Sequence, residues 1–388
     1  DIGLECGLSG KAQIGKGSSN AATEADLEAV RRQCVFTTHT PVPAGHDQFP
    51  MALVRQVRGE RRAALLEAAG CCLDGNLNMT LTALRLSRYV NGVSMRHDEV
   101  SSGMFPGYPI NAITNGVHAA TWTSPPFCEL YDRRIPEWRQ DNLYLRYAIG
   151  VSLDEISHAH ALAKRAMLEQ VKQRTGTALD ESVMTIGFAR RASPYKRADL
   201  LFSDLERLKT IARKVGPFQV VYAGKAHPRD EGGKEMIRRV FQAAGALQGV
   251  VPVAYLENYD AALARHLCAG VDLWLNTPLP PQEASGTSGM KAALNGVPSL
   301  SILDGWWVEG HIEGVTGWAI GHSTEGTGDR SADAVSLYEQ LEGEILPLYY
   351  GRPSAYAAVM RSAIALNGAF FNTQRMVAQY VRNAYRVG

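Results

Sequence analysis

The sequence predicts an α/β protein whose larger, C-terminal part is a doubly wound parallel sheet, and two observations predict it. Short apolar runs of strand length, "SVMTIGFA", "FQVVYAG", "GVVPVAYL", "VDLWLN" and "PSLSIL", follow one another through the second half of the chain. Most are separated by helical stretches such as "RADLLFSDLERLKTIARKV" and "GKEMIRRVFQAAGAL", the rhythm of parallel strands joined by right-handed crossovers. In such sheets ligands bind where loops leave the C-terminal ends of strands, so those loops carry the search for chemistry.

The elements run as follows. "TEADLEAVRRQC" has the apolar spacing of a helix, and "VFTTHTPVPAGHDQFP" reads as a strand entering a proline-rich loop, the one obvious strand of the first third. "LVRQVRGERRAALLEAAG" and "MTLTALRLSRYV" read as further helices. Glycine, proline and serine gather over residues 101–136, the usual punctuation of a crossover between domains. "SLDEISHAHALAKRAMLEQVKQRTG" is a long helix with acidic residues early, basic residues late and Gly176 as its stop. After the strand-and-helix alternation, two helical runs close the chain, the last being "NTQRMVAQYVRNAYRV".

Composition narrows the function. With 388 residues, 45% of them hydrophobic, the chain can hold two or three cores, and its net charge of +1 offers no basic field for coating nucleic acid. No apolar stretch approaches the roughly 20 residues of a membrane span, so a cytoplasmic protein is expected. Cys71 and Cys72 are adjacent and no C-x-x-C spacing occurs, which suggests neither a disulfide framework nor a zinc site. His158 and His160 diverge on a helix and no H-E-x-x-H is present, so no metal is expected. The opening stretch "DIGLECGLSGKAQIGKGSSN" offers neither a targeting segment nor a strong first strand, and the chain is expected to start inside something larger.

Three strand-to-helix loops stand out. After "VMTIGFA", the run "RRASPYKRADL" sets Arg190, Arg191, Lys196 and Arg197 within eight residues, either an anion clamp or a solvated basic loop. After "FQVVYAG", Lys225 is similarly placed. The third loop, "LPPQEASGTSGMKAALNG", lets backbone N–H groups of Gly286, Thr287, Ser288 and Gly289 approach an anion at a helix start. It is not a Walker loop, because Lys291 is followed by Ala292, and no G-x-G-x-x-G fingerprint occurs. A lysine just beyond an anion nest suits pyridoxal phosphate, which needs an amine for its aldehyde and a cradle for its phosphate, although an exposed lysine is the commoner case. His39, Asn115 and Glu283 could hydrogen-bond a polyhydroxylated ligand, although each alone is more often a turn or satisfied core residue; Trp306 and Trp307 suit either a sugar face or a core.

"EASGTSGMKAALNG", "ARRASPYKRADLLF", "AGKAHP", "LENYDAALARHL", "TNGVHAATW" and "VFTTHTPVPAGHDQFP" together resemble the α-glucan (glycogen or maltodextrin) phosphorylases, above all their shorter bacterial and archaeal branch. The resemblance runs from about residue 24 to the C-terminus. It implies a two-domain glycosyltransferase architecture of the GT-B kind, with residues 1–116 as the last part of an incomplete N-terminal glucan-binding domain. Residues 117–365 are then the Rossmann-like cofactor domain and 366–388 a C-terminal crossover helix. It implies phosphorolysis of α-1,4-glucan ends (glycogen, starch or maltodextrin) by inorganic phosphate, with retention, giving α-glucose 1-phosphate. The cofactor is pyridoxal 5'-phosphate, whose phosphate acts as proton relay, and a homodimer is the common assembly.

The roles that the resemblance carries over are specific. Lys291 is the cofactor tether; Arg191 and Lys196 are substrate-phosphate ligands; Arg190, Tyr259, Gly286, Thr287 and Ser288 surround the cofactor and the phosphates. Glu283, Ala284, Ser285, Asn115 and His39 contact the glucosyl unit. Ser288 and Gly289 replace the glycine and asparagine of the animal and plant branch, and Ser193 and Pro194 replace its histidine and glutamate. Two rival readings are a sugar-nucleotide-dependent glycosyltransferase, which needs no tethering lysine, and a non-catalytic carbohydrate-binding remnant.

Overall fold

The structure, a computed structural model, describes residues 23–321 and 329–386, so the opening stretch 1–20 discussed above lies outside it. Two compact units emerge: residues up to 113 together with the segment from Gln379, and Thr114–Ala378. No helix among the described residues is long and apolar enough to cross a membrane.

In the smaller unit, Thr23 caps the first helix, Glu24–Arg31, accepting a hydrogen bond from the Asp26 amide at 3.2 Å. Strands β1 (Val35–Thr37), β5 (Tyr89–Gly92) and β6 (Asn111–Ala112) form a parallel sheet in the order β1-β5-β6. Strands β2 (Gln48–Pro50), β3 (Cys72–Leu73) and β4 (Asn76–Asn78) form an antiparallel sheet in the order β2-β4-β3. The expectation of one strand here is corrected to six among the described residues, because segments of two to four residues are too short to show an alternating pattern. "MTLTALRLSRYV" is accordingly helix only to Arg85 and strand from Tyr89, and the preceding helical stretch divides at Gly59. Met51, Val54, Ala63, Leu66, Cys71 and Leu77 make this unit's core. Its C-terminal segment is tied in through Tyr380, whose hydroxyl lies 3.0 Å from Asn91 Nδ2.

In the larger unit, β7 (Met184–Ala189), β8 (Phe218–Ala223), β9 (Val253–Leu256), β10 (Leu273–Asn276), β11 (Ser299–Ile302) and β12 (Gly317–Ile320) form one parallel sheet. Its order is β12-β11-β10-β7-β8-β9, the doubly wound arrangement. The five predicted strands are β7 to β11; β12 was missed, being four residues that open on a glycine. Both faces of the sheet are covered, which is why its strands read as continuous apolar runs. Met184, Ile186 and Phe188 pack with Leu200, Leu208 and Ile211, whereas Ala189, Val221 and Trp274 pack with Met167, Val171, Leu263 and Leu267. The long helix is Leu153–Thr175, begun by Ser152, which accepts from the Glu155 amide at 3.3 Å, and ended by Gly176 in the left-handed region. The stretch "RADLLFSDLERLKTIARKV" is helical in one piece only from Leu205, where Asp204 caps it.

At the N-terminal edge of this sheet, Asp272 is buried directly ahead of β10. It meets His160 Nε2 at 2.9 Å, Lys164 Nζ at 2.6 Å and the Thr185 amide at 2.7 Å. The Lys164 ammonium also donates to the Val183 carbonyl at 2.8 Å and faces the Tyr349 hydroxyl at 3.3 Å.

Candidate active site

Strands β7 and β10 are neighbours whose outgoing connections run in opposite directions, so the loops that follow them part at this point and leave a crevice. The loop after β7 carries Arg190, Arg191 and Lys196; the loop after β10 carries Glu283 through Lys291.

These loops meet through one carboxylate. Arg190 Nη2 and Lys196 Nζ each lie 2.5 Å from Glu283 Oε2, and all three side chains are at least nine-tenths buried. Burial alone would raise the Glu283 pKa, but the two cations outweigh it and hold the carboxyl below its ordinary value. Burial, with the like charge of Arg190, brings Lys196 down to about 7 against the pull of Glu283. Its ammonium also lies 4.3 Å from the centre of the Tyr195 ring. Arg191 is exposed. Arg197, grouped with these cations in the sequence, points elsewhere: its guanidinium is spent on the Thr277 and Pro278 carbonyls and on Asp333.

The loop after β10 is shaped by close packing. Gly286 has φ +81°, outside the range that side chains favour. At Gly289 a Cβ would come within 2.6 Å of the Trp306 ring and 3.0 Å of Ser299 Oγ, so no larger residue fits the observed backbone. Ser285 and Ala284 are buried, and the Ser285 carbonyl accepts from the Trp306 amide at 2.8 Å. Asp304 receives the Glu283 amide at 2.8 Å and so fixes where that carboxylate begins. Thr287 and Ser288 start the short helix Ser288–Ala293, and Ser288 Oγ accepts from Trp274 Nε1 at 3.2 Å. Trp306 and Trp307 are buried, 2% and 1% exposed, which makes them core rather than an open sugar platform.

Lys291 is half-buried, with its Nζ 3.8 Å from the centre of the Trp122 ring. Burial lowers its pKa from the ordinary lysine value and so raises the share of neutral, nucleophilic amine. Cys268, buried behind the loop with its thiol pushed up to about 12, feels the Lys291 charge, and Tyr259 packs on the same cluster within electrostatic reach of Arg190. Burial raises the Tyr259 hydroxyl, which stays protonated. Two buried polar atoms here, Arg190 Nη1 and Ser285 Oγ, have no hydrogen-bond partner among the described residues. An aldehyde cofactor with an anionic group fits this set: an amine with a lowered pKa, cations, and a loop of small residues with unspent donors.

Asn115 is the second residue of the larger unit, its carbonyl held by Arg375 Nη2 at 2.9 Å, while His39 follows β1 in the smaller unit and is exposed. Sequence reasoning missed Trp122, Asp304, Arg375 and Asn295. The Asn295 carboxamide accepts from the Ser124 amide at 2.7 Å and donates to the Trp122 carbonyl at 2.8 Å and the Lys291 carbonyl at 3.0 Å. Trp122 and Asn295 lie inside the quoted motifs, but only the fold reveals what they touch.

A family profile described as carbohydrate phosphorylase matches residues 48–317. The chain is 42% identical to a maltodextrin phosphorylase of Thermococcus litoralis over 92% of its own length and 47% of that protein. It is 40% identical to a glycogen phosphorylase of Aquifex aeolicus (92% of this chain, 58% of that one). To a glycogen phosphorylase of Mycobacterium tuberculosis it is 37% identical (92% and 47%). The chain thus spans about half the length of the relatives it matches.

Proposed function

The chain belongs to the carbohydrate phosphorylase family, and from that premise we propose that it is the cofactor- and phosphate-bearing part of an α-glucan phosphorylase of GT-B architecture. The protein then cleaves α-1,4-linked glucan ends with inorganic phosphate and releases α-glucose 1-phosphate with retention. The larger unit serves as the cofactor domain and the smaller one as part of the glucan-binding domain.

One observation carries this reading: the connection after β10 presents Glu283 to the Arg190–Lys196 pair and, eight positions on in the helix that follows, a half-buried Lys291 with a lowered pKa. Lys291 would hold pyridoxal 5'-phosphate, with Tyr259, Arg190, Gly286, Thr287 and Ser288 around it. When bound, that group supplies a phosphate able to exchange a proton with the substrate phosphate. Arg191 and Lys196 hold the substrate phosphate, and their charge keeps a dianion beneath the glucosyl ring, where positive charge develops as the glycosidic bond breaks. Glu283, with Ala284, Ser285, Asn115 and His39, is assigned to the glucosyl hydroxyls. To serve there, its carboxylate must release at least one cation, and an arriving phosphate supplies the replacement charge. Burial around Lys196 and Glu283 excludes water and strengthens each of these interactions.

Borohydride reduction of the full-length protein followed by peptide mapping tests the reading. A pyridoxyl adduct on Lys291 is expected. A reduced protein with no adduct there would leave the sugar-nucleotide glycosyltransferase as the better account, since that chemistry has no use for the lysine.

A further inference from the structure

Arg197 adopts a left-handed backbone, φ 46° and ψ 48°, in a residue with a side chain, and it is 6% exposed. Such a conformation is unfavourable for a non-glycine residue and persists only where surrounding contacts over-determine it. The contacts are present. Arg197 Nε donates to the Thr277 carbonyl at 3.0 Å, Nη2 to the Pro278 carbonyl at 2.8 Å, and Nη1 to Asp333 at 2.7 Å. In return Thr277 Oγ1 donates to the Lys196 and Arg197 carbonyls, both at 3.0 Å, and the Leu279 amide donates to the Tyr195 carbonyl at 2.7 Å. Five hydrogen bonds thus join the loop after β7 to the loop after β10, all within residues 195–197 and 277–279. Lys196 sits inside this seam, and its ammonium emerges at Glu283.

We propose that Arg197 is a positioning residue for phosphate: by clamping the two loops together through the Thr277 and Pro278 carbonyls it sets where the Lys196 ammonium stands. The proposal rests on the phosphate role assigned to Lys196 above. Arginine is required because a planar fork reaches two carbonyls and a carboxylate at once, whereas a lysine ammonium is a compact point donor. The left-handed turn at residue 197 ends the Pro194–Lys196 turn and directs consecutive side chains apart, residue 196 to the crevice and residue 197 to the seam.

The test uses the full-length protein with two variants. Arg197→Lys keeps the charge and loses the fork; Thr277→Val removes the reciprocal hydroxyl and leaves the guanidinium in place. Both are expected to raise the KM for inorganic phosphate, Arg197→Lys by about tenfold, the scale of one charge-assisted hydrogen bond, and Thr277→Val by less. The KM for glucan is expected to stay within about twofold, because the seam positions a phosphate ligand. An active wild type whose phosphate KM is unchanged in both folded variants overturns the proposal alone. So does an equal rise in both KM values, or loss of folding in both variants, since the seam would then hold the fold rather than the clamp. A wild type that forms no glucose 1-phosphate overturns the functional reading, and this proposal with it.

Discussion

The two ends of the parallel sheet each bury a carboxylate between two basic groups, and they treat it differently. At the N-terminal edge, Asp272 divides its partners over both oxygens, His160 on Oδ1 and Lys164 with the Thr185 amide on Oδ2. Lys164 in turn has three oxygen neighbours, Asp272, Val183 and Tyr349. At the C-terminal edge, both cations crowd onto the single oxygen Oε2 of Glu283, and Arg190 keeps a buried N–H without a partner among the described residues. His160 Nδ1 also lacks a partner among the described residues, but the ammonium of that cluster is spent on three oxygens and helps hold the fold, whereas Arg190 keeps a cationic donor for a visitor.

The contrast can be broken by experiment, beginning with the largest effect. Asp272→Asn leaves the buried Lys164 without its carboxylate partner, and a denaturant melt is expected to show a loss of about 3 to 5 kcal/mol. Added inorganic phosphate should help this variant no more than it helps the wild type. If phosphate restores Asp272→Asn selectively, the N-terminal cluster is an anion site and the contrast fails. Glu283→Gln also removes a buried negative charge, but on the function proposed above an anion takes that place. Phosphate at a hundred times its dissociation constant should return about 2.7 kcal/mol, more than it adds to the wild type, measured as a shift in the same melt.

The smallest effect concerns pH. Lys196 lies among Arg190, Arg191, Glu283 and Tyr195, and its pKa is lowered to about 7, so its positive charge is present below that pH and is lost above it. The phosphate KM should therefore rise by up to about tenfold per pH unit above that point, as the protonated fraction falls. Lys196→Arg, whose guanidinium does not titrate in this range, should lose that dependence while keeping the dependence that comes from phosphate itself. Parallel profiles would show that Lys196 is not what the pH senses.

Much of the sheet was legible because β7 and β8 are covered on both faces and announce themselves as six-residue apolar runs. Strands of two to four residues in the smaller unit, and β12, contain no full alternation to read. In the crevice, the basic run and the small-residue loop were visible as patterns, and so was Lys291. Direction was not. Arg197 stands beside Lys196 and carries the same charge, yet the left-handed turn sends it to backbone carbonyls 80 and 81 positions away. The Glu283 pairings span 87 and 93 positions, and no local spacing encodes contacts of that range.

Asn295 gives the site a place in the order of assembly. Its carboxamide joins the Lys291 helix to a backbone 171 and 173 positions earlier, at Ser124 and Trp122. Contacts of such separation form late, since the entropy of closing the intervening chain is lost before they return anything. Trp122 therefore comes to lie against the Lys291 amine only after the strands and crossovers between them have been laid down. By that reasoning a partly folded chain offers the amine without its aromatic cover, and the site matures later than the local contacts of its own helix.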